Sequence, residues 1–191
     1  MKILNLIVLL LFSLFSYGQK EELIKFLDAY KTAEFTESQE CIKKYSFGRE
    51  IKYTMLNYNF INGLIFDTDI PGKKAYKAMI SANVKMKGDD YAEKKMLIIM
   101  YLNKSTNTWC VFEFREACDP LKEYTDYKAR VEVGDFYTKK EYVYRNLAYW
   151  SLAAGKIVDA KKYIDLAVEA AKDANNPKFT TQGMDDLINL L

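Results

Sequence analysis

Residues 144–177 read YRNLAYWSLAAGKIVDAKKYIDLAVEAAKDANNP, and this stretch decides the fold of the C-terminal part of the chain. Helical patterns lie on both sides of Gly155. Before it, apolar residues recur at the spacing of one helix face, at Val143, Leu147, Trp150 and Ala154. After it, a second helix over residues 158–174 places on one side Ala160, Tyr163, Ile164, Ala167, Val168 and Ala171. Glycine often ends a helix in a left-handed conformation, so we predict two antiparallel helices with Gly155 at their turn.

The two ends of this helix pair carry further signals. Thr138 followed by Glu141 is the pattern of a capping box, in which each side chain accepts a hydrogen bond from the other residue's backbone amide. We therefore predict that the first helix begins at Thr138. At the far end, the sequence Asn175-Asn176-Pro177 is predicted to end the second helix.

Small residues where the helices cross, and a turn containing glycine, resemble one unit of the tetratricopeptide family. The matching positions are Tyr144, Leu147, Gly155, Ala160 and Ala167. The chain departs from the family pattern with Ala148 in place of glycine, Ser151 in place of an aromatic residue, and a late closing proline. No second copy occurs at the family spacing, and an ordinary antiparallel helix pair is the alternative. In this family the first helix lines a binding face, so the resemblance implies that Tyr142, Arg145 and Tyr149 contact a partner.

The overall composition limits the classes of function. The chain has 191 residues, which fits one domain, or one domain plus an appendage. Of these residues 50% are hydrophobic and 15% aromatic, which is enough for a core. Its 28 Lys and Arg residues nearly balance 26 Asp and Glu residues, and the two signs are interspersed. Nucleic-acid binding requires a concentrated basic face, so we expect no nucleic-acid partner. A polybasic membrane anchor is disfavoured for the same reason.

The chain contains no histidine. This excludes Ser-His-Asp and Cys-His catalytic arrangements and any metal site with histidine ligands. Three cysteines are too few for a zinc site built from cysteine alone, and phosphate-binding loops and nucleophile elbows do not occur. We therefore expect no catalytic residue, no metal and no cofactor.

Residues 1–18, MKILNLIVLLLFSLFSYG, have the pattern of a cleavable secretory signal. Lys2 precedes a short apolar run, and small residues stand before the predicted cut after Gly18. The apolar run is short for a membrane span, and an uncleaved anchor is the alternative. We expect the protein to be periplasmic or secreted, with no transmembrane anchor after cleavage.

The residues between the signal and the helix pair predict helices followed by an antiparallel sheet. Amphipathic helices are predicted over residues 21–35 and 38–45, the first with a core face formed by Leu23, Ile24, Leu27 and Tyr30. Strands are predicted over residues 49–66, with a kink at Asn62-Gly63, and over residues 95–102 and 108–115. Residues 74–87 fit either a strand or a helix leading into a strand. The Asp- and Gly-containing residues 67–72 are predicted to be a polar turn.

Strict alternation in the last strand places Cys110, Phe112 and Phe114 on one face and Trp109 and Val111 on the other. It also places Glu113 and Arg115 together, on what we expect to be a solvated sheet face. The order of helices and strands resembles the cystatin-like and NTF2-like architectures, which implies a sheet curled around a helix and a pocket at its open end.

The C-terminal part adds two further predictions. Asp119 and Pro120 are typical of a helix start, and a helix to Gly134 is predicted, with a strand at residues 129–133 as the alternative. Residues 181–191 are predicted to form a last helix that caps the pair. The fold class is therefore α+β: an α+β domain at residues 19–118 and a helical, tetratricopeptide-like region at residues 119–191.

Two pairing states of the cysteines are left open. The strand between Cys110 and Cys118 separates them too far for a disulfide, so either Cys41 pairs with Cys118 or all three cysteines are buried thiols. We expect most of the tyrosines and the tryptophan of residues 124–150 to pack between the sheet and the helix pair, with a partner-binding surface as the alternative.

The predicted function is that of an exported, non-enzymatic protein that binds a protein partner in the cell envelope through its C-terminal helical hairpin. A small-ligand or slow enzymatic pocket in the α+β part is the alternative. A structural envelope component without either site is a third hypothesis.

Overall fold

Four antiparallel strands in the order β1-β2-β3-β4 form one sheet, and helices pack on both of its faces. The computed structural model describes residues 18–31, 53–86, 88–181 and 183–190. The strands are β1 (Tyr53–Asp67), β2 (Lys74–Met86), β3 (Ala92–Asn103) and β4 (Thr108–Glu116). Helix α1 covers residues 18–31, and the later helices are α2 (Pro120–Glu132), α3 (Lys140–Ala153), α4 (Ile157–Asp173) and α5 (Met184–Leu190). The predicted α+β class is confirmed.

Strands form in all three predicted places, although residues 49–52 of the first prediction lie outside the described residues. Residues 74–86, which the sequence left open, also form a strand. Strand β3 lies between β2 and β4 and is buried on both faces, which explains its continuous apolar sequence. One face of β3 presents Met96, Ile98 and Met100, and the other presents Leu97, Ile99 and Tyr101.

Strand β1 has two bulges, at Leu56 and at Ile61, where one residue of β1 has no direct partner on β2. The second bulge lies beside the kink predicted at Asn62-Gly63. Gly63 is required there because the ring of Tyr76 lies over it: a Cβ would stand 1.9 Å from the Tyr76 hydroxyl oxygen.

Strand β4 also has a bulge, and it corrects one prediction. Glu113 pairs with Ile99 and Val111 pairs with Met100, so Phe112 is the extra residue. The extra residue reverses the alternation. Phe114 therefore packs on the α1 side of the sheet, whereas Phe112 packs on the opposite side, so the prediction of a shared face was wrong.

Two hydrophobic cores lie on opposite faces of the sheet. The α1 core joins one sheet face to four side chains spaced by three or four residues along α1, Leu23, Phe26, Leu27 and Tyr30. Ile24, predicted to share this face, is exposed because it lies one position off the stripe. Residues 32–35 and the second predicted helix, residues 38–45, lie outside the described residues.

The helical core joins the other sheet face to α2, α3, α4 and α5. Leu97, Ile99, Tyr101 and Phe112 of the sheet contribute to it. The Tyr101 hydroxyl donates a hydrogen bond to the backbone carbonyl of Leu152 in α3. The predicted boundary near residue 118 falls in the connection between β4 and α2, and the helical region packs directly on the sheet.

The turn between α3 and α4 forms as the sequence predicts. Gly155 has φ of 75°, its amide donates to the Leu152 carbonyl, and the amide of Lys156 donates to the Ser151 carbonyl. This is the Schellman arrangement of a helix end. Asn175 ends α4 in the same way, with φ of 47°, and the amide of Asn176 donates to the Ala171 carbonyl.

The sequence predicted helix starts at Asp119 and at Thr138, and only the first prediction is correct. Asp119 caps α2, since its Oδ1 accepts from the amides of Leu121 and Lys122 at 3.1 and 3.4 Å. The helix excludes the alternative strand at residues 129–133. The capping box at Thr138 was wrong: α3 begins at Lys140, and within the described chain the N-cap residue Lys139 makes no side-chain capping bond.

In the last helix, Met184 and Leu187 are buried in the helical core, as predicted for a capping helix, and Leu191 lies outside the described residues. Within the described ranges, no helix combines the length and the apolar character that a membrane crossing requires.

Candidate functional site

The outer side of α3 carries Tyr142 and Arg145, and the chain that connects α4 to α5 lies against both. We call residues 176–181 of this connection the strap. The ring of Phe179 in the strap lies 5.9 Å from the ring of Tyr142, centroid to centroid. The guanidinium of Arg145 lies 4.9 Å from the Tyr142 ring centroid and 5.8 Å from that of Phe179. Cation–π attraction therefore joins α3 to the strap.

Hydrogen bonds hold the strap at two further points. Nδ2 of Asn176 donates to Glu141 Oε1 at 3.0 Å and to the Tyr142 hydroxyl at 3.2 Å. Nη1 of Arg145 donates to the backbone carbonyl of Thr180 at 3.3 Å. The strap thus contacts the first two turns of α3 through one side-chain amide, one aromatic ring and one backbone carbonyl.

Glu141 is the carboxylate at the centre of this contact, and only 2% of its surface is exposed. The hydrogen bond from Asn176, and one from its own backbone amide, hold the pKa of the Glu141 carboxyl below its ordinary value. Glu141 is therefore ionised at neutral pH. The sequence predicted that the Glu141 side chain belongs to a helix cap, whereas in the structure it accepts a hydrogen bond from Asn176 of the strap.

A groove of about 590 Å³ opens between the last turns of α4 and the strap. Its lining includes apolar surface from Val168, Ala171 and Phe179, and polar groups from Lys172 and Asn175. Lys172 is the charged residue of this lining. Arg145 of α3 is not part of the lining, but its guanidinium contacts the lining residue Phe179. The groove therefore offers an apolar surface next to positive charge.

Comparison with known proteins gives no match to a family model, a curated protein or a solved structure. The resemblance to a tetratricopeptide unit therefore rests on the residues of this chain alone.

Of the three residues predicted to bind a partner, the structure brings together two. Tyr142 and Arg145 both contact the strap, whereas Tyr149 lies one turn further along α3, against β4, and is 9% exposed. Residues four apart share one side of a helix, so Tyr149 is buried because β4 covers this later part of α3, and not because it points away from Arg145. A direct contact of Tyr149 with a partner is therefore not part of the site.

Tyr149 instead contacts Glu113 and Arg115 of β4. Its hydroxyl donates to Glu113 Oε2 and accepts from Arg115 Nη1 at 3.0 Å. The Arg115 guanidinium also lies 4.4 Å from the ring centroid of Trp150. Glu113 and Arg115 do share a face, but the expected solvated sheet face was wrong, because α3 covers it.

The electrostatics of this cluster favour a structural role. Burial lowers the pKa of the Arg115 guanidinium, but the Tyr149 and Glu113 contacts outweigh that effect and the pKa is raised. Burial raises the pKa of the Cys118 thiol even though Arg115 opposes it, and burial also raises the pKa of Cys110. Both groups are then neutral thiols at neutral pH, and the thiolate is the nucleophilic form. Cys41 lies outside the described residues, so its pairing with Cys118 stays a prediction.

The remaining aromatic residues between α2 and α3 pack on one another, as expected. Tyr127 stacks on Trp150 with centroids 6.3 Å apart and meets Tyr137 edge-on at 5.9 Å. Phe136 meets Tyr144 in the same edge-on manner at 5.9 Å. The hydroxyl of Tyr124 donates to Asp159, which ties α2 to α4.

A second, polar concavity of about 350 Å³ lies on the exposed part of the sheet over β1, β2 and β3. Asn83 Nδ2 donates to Asn57 Oδ1 at 3.0 Å, and Ser81 Oγ donates to Glu93 Oε1 at 2.6 Å. Asn59 lies opposite Ser81 in the same face. Among the described residues, no group of three or more acidic or cysteine side chains could hold a metal ion.

Sequence reasoning missed Glu141, Asn176 and Phe179 as site residues. Asn176 was interpreted only as part of a helix end, and Glu141 only as part of a helix start. Phe179 is the clearest missed signal, because it is the one aromatic residue in the polar stretch NNPKFTTQG, which follows α4. Such a residue needs a packing partner or a ligand.

Proposed function

We propose that the protein is an exported, non-enzymatic module that binds an extended segment of a protein partner in the cell envelope. The binding face is formed by the first turns of α3, the last turns of α4 and the strap. The single observation that carries this proposal is the groove of about 590 Å³ between α4 and the strap, whose lining residue Phe179 also contacts Tyr142 and Arg145 of α3.

The chemistry of the face indicates the kind of segment that fits. Aromatic rings and arginine are enriched where proteins bind partners, because they combine a large contact area with a polar end. The apolar lining suits one buried side chain of the partner, and the positive charge of Lys172 and Arg145 suits an acidic neighbour of that side chain. Export is part of the proposal and is supported by the signal-like residues 1–18.

The test is a cross-linking pull-down of the tagged mature protein from its native cell envelope, read by mass spectrometry. We expect one stoichiometric partner, retained by the unaltered protein and lost with Arg145→Ala. The matched control is Arg130→Ala, because Arg130 also lies over a tyrosine ring, at 5.1 Å from Tyr137, but on α2. Retention of the partner by Arg145→Ala, or the absence of any partner above background, would contradict the proposal.

The polar concavity favours a second candidate function, the binding of a small polar ligand. Asparagine is disfavoured in strands, yet Asn57, Asn59 and Asn83 cluster on two neighbouring strands. Amide groups both donate and accept hydrogen bonds, which suits a ligand rich in hydroxyl groups. Native mass spectrometry of the protein purified from its own cells tests this candidate. A bound small molecule that disappears in Asn57→Thr/Asn83→Thr supports it, and an unliganded mass counts against it.

A further inference from the structure

We infer that the strap is an internal pseudo-ligand: it occupies the part of the face that a partner segment takes, and the partner displaces it. The segment that displaces the strap carries an aromatic side chain in the place of Phe179 and offers a backbone carbonyl to Arg145. This inference rests on the proposed function and names the partner's chemistry and the way in which access is controlled.

The contacts of the strap are of a kind that a foreign segment can reproduce. Phe179 supplies one ring to Tyr142 and Arg145, and Thr180 supplies its backbone carbonyl to Arg145. A backbone carbonyl is available in any extended segment, and Arg145 can contact any aromatic ring through cation–π attraction. The contact specific to this sequence is the Asn176 amide, which binds Glu141 and Tyr142.

The strap is anchored at both ends, and the residues between the anchors are mostly exposed. The backbone amide of Asn176 donates a hydrogen bond to the Ala171 carbonyl, and Thr181 Oγ1 donates to Asp185 Oδ1 at 2.7 Å. Beyond it, Met184 and Leu187 anchor α5 in the helical core. Between these anchors Pro177, Lys178 and Thr180 are exposed, and Phe179 is half-buried. Segments with few buried contacts open at low free-energy cost while the fold stays intact.

Tethering explains why the strap occupies the face in the absence of a partner. A segment joined by a short connection competes at an effective concentration on the order of millimolar. A ligand that needs the open state therefore binds with an affinity reduced by the open fraction. Weakening the strap should raise the affinity of the face for a segment supplied separately.

The test uses a fluorescein-labelled peptide with the sequence of residues 174–181, ANNPKFTT, and the full mature chain. Fluorescence anisotropy is recorded as the protein is titrated. We expect Phe179→Ala to bind the peptide at least about tenfold more tightly than the unaltered protein, because its own ring no longer fills the site. The same peptide with alanine in place of phenylalanine should not bind. The matched control protein is Phe136→Ala, which removes a half-buried loop aromatic that contacts α3 at Tyr144.

Circular dichroism establishes whether Phe179→Ala is folded, and Asn176→Ala provides a second variant. This variant removes the hydrogen bonds that the Asn176 side-chain amide donates to Glu141 and Tyr142 but keeps Phe179. We therefore expect its affinity for the peptide to lie between those of the unaltered protein and Phe179→Ala. Equal affinity of all four proteins, or equal binding of the peptide without phenylalanine, overturns the inference.

The two proposals can fail separately. Loss of the envelope partner with Arg145→Ala, together with no peptide binding by Phe179→Ala or Asn176→Ala, overturns the pseudo-ligand and leaves the proposed function standing. Peptide binding by these variants without any envelope partner supports the pseudo-ligand contact and overturns the proposed function.

Discussion

The carboxylate of Asp69, in the turn between β1 and β2, accepts a hydrogen bond of 2.6 Å from the backbone amide of Ile157. The two residues are 88 positions apart in sequence. Asp69 also accepts from the amide of Val158, and its own amide donates to the Gly155 carbonyl. The first turn of α4 is therefore capped by a residue of the turn between two strands of the sheet. This contact joins the helical region to the α+β part.

Replacing Asp69 by alanine should destabilise the protein by about 1 kcal/mol, and by at most about 2 kcal/mol, because the first amides of α4 lose their acceptor. Chemical denaturation followed by circular dichroism measures the change. The matched control is Asp67→Ala, two residues earlier at the end of β1, whose exposed side chain lies 3.8 Å from the Lys74 ammonium. Exposed ion pairs contribute little to stability, so the free energy of unfolding of the control should change by no more than about 0.5 kcal/mol. Equal losses from both variants would show that Asp69 is not acting as a cap.

Gly155→Ala should be more destabilising than Gly134→Ala. Both glycines have almost the same φ, 75° and 76°, so alanine costs about 1–2 kcal/mol at either position from backbone strain. A Cβ at position 155 would also stand 2.8 Å from Cε2 of Phe66, whereas one at position 134 meets nothing within 4 Å. Displacing Phe66 should add about 1–3 kcal/mol. Denaturation midpoints measure the difference, and equal costs would rule out a contribution from the Phe66 contact.

Tyr149→Phe should cost about 1–3 kcal/mol, because it removes a hydroxyl that binds Glu113 and Arg115 beneath α3. Thermal unfolding measures it. The control is Tyr137→Phe, which removes an exposed hydroxyl that accepts a hydrogen bond from Asn146 Nδ2 at 2.8 Å. This change should cost no more than about 0.5 kcal/mol. If the two variants unfold at the same temperature, the hydrogen bonds of the Tyr149 hydroxyl contribute nothing to the stability of the protein.

The strap should loosen in acid. The pKa of Glu141 in the folded protein lies below its ordinary value of 4.5, so its contribution to stability is present above that value and is lost as pH falls through the lowered pKa. The reason is that a protonated carboxyl is a weaker acceptor for the Asn176 amide. Nuclear magnetic resonance of the Asn176 side-chain amide and the Phe179 ring should report the loss, and Glu141→Gln should abolish the pH dependence.

The control for this titration is Asp28, whose pKa is also lowered, by hydrogen bonds from Lys31 and Tyr58. Asp28 lies in α1, on the other face of the sheet from α3. Asp28→Asn should therefore leave the pH dependence of the strap signals unchanged. A strap signal that shifts with Asp28→Asn, or persists in Glu141→Gln, would assign the acid response to other groups.

The features that sequence predicted are those with local causes. Gly155, Asn175 and Asp119 each act on backbone groups within a few residues, and the burial of Ala160, Tyr163 and Ala167 follows from helical spacing alone. The α+β order followed from the same local patterns.

The features that sequence missed depend on register or on contacts between distant elements. A single inserted residue at Phe112 moved Phe114 to the other face, and periodicity cannot detect such a bulge. Tyr149 and Arg145 both suit a helix surface, and only the position of the sheet makes one of them buried. Asp69 and Glu141 have partners 88 and 35 residues away, so no local pattern could show them.

The sheet between two cores has a consequence for attempts to divide the protein. A fragment that ends after β4 would retain the α1 core but would lose every helix that covers Leu97, Ile99, Tyr101 and Phe112. Those side chains would form a contiguous apolar surface in water, and surfaces of that kind drive aggregation. Expression of the sheet half alone should therefore yield inclusion bodies, and co-expression with residues 119–191 as a separate chain should restore solubility if the two halves reassemble through the shared core.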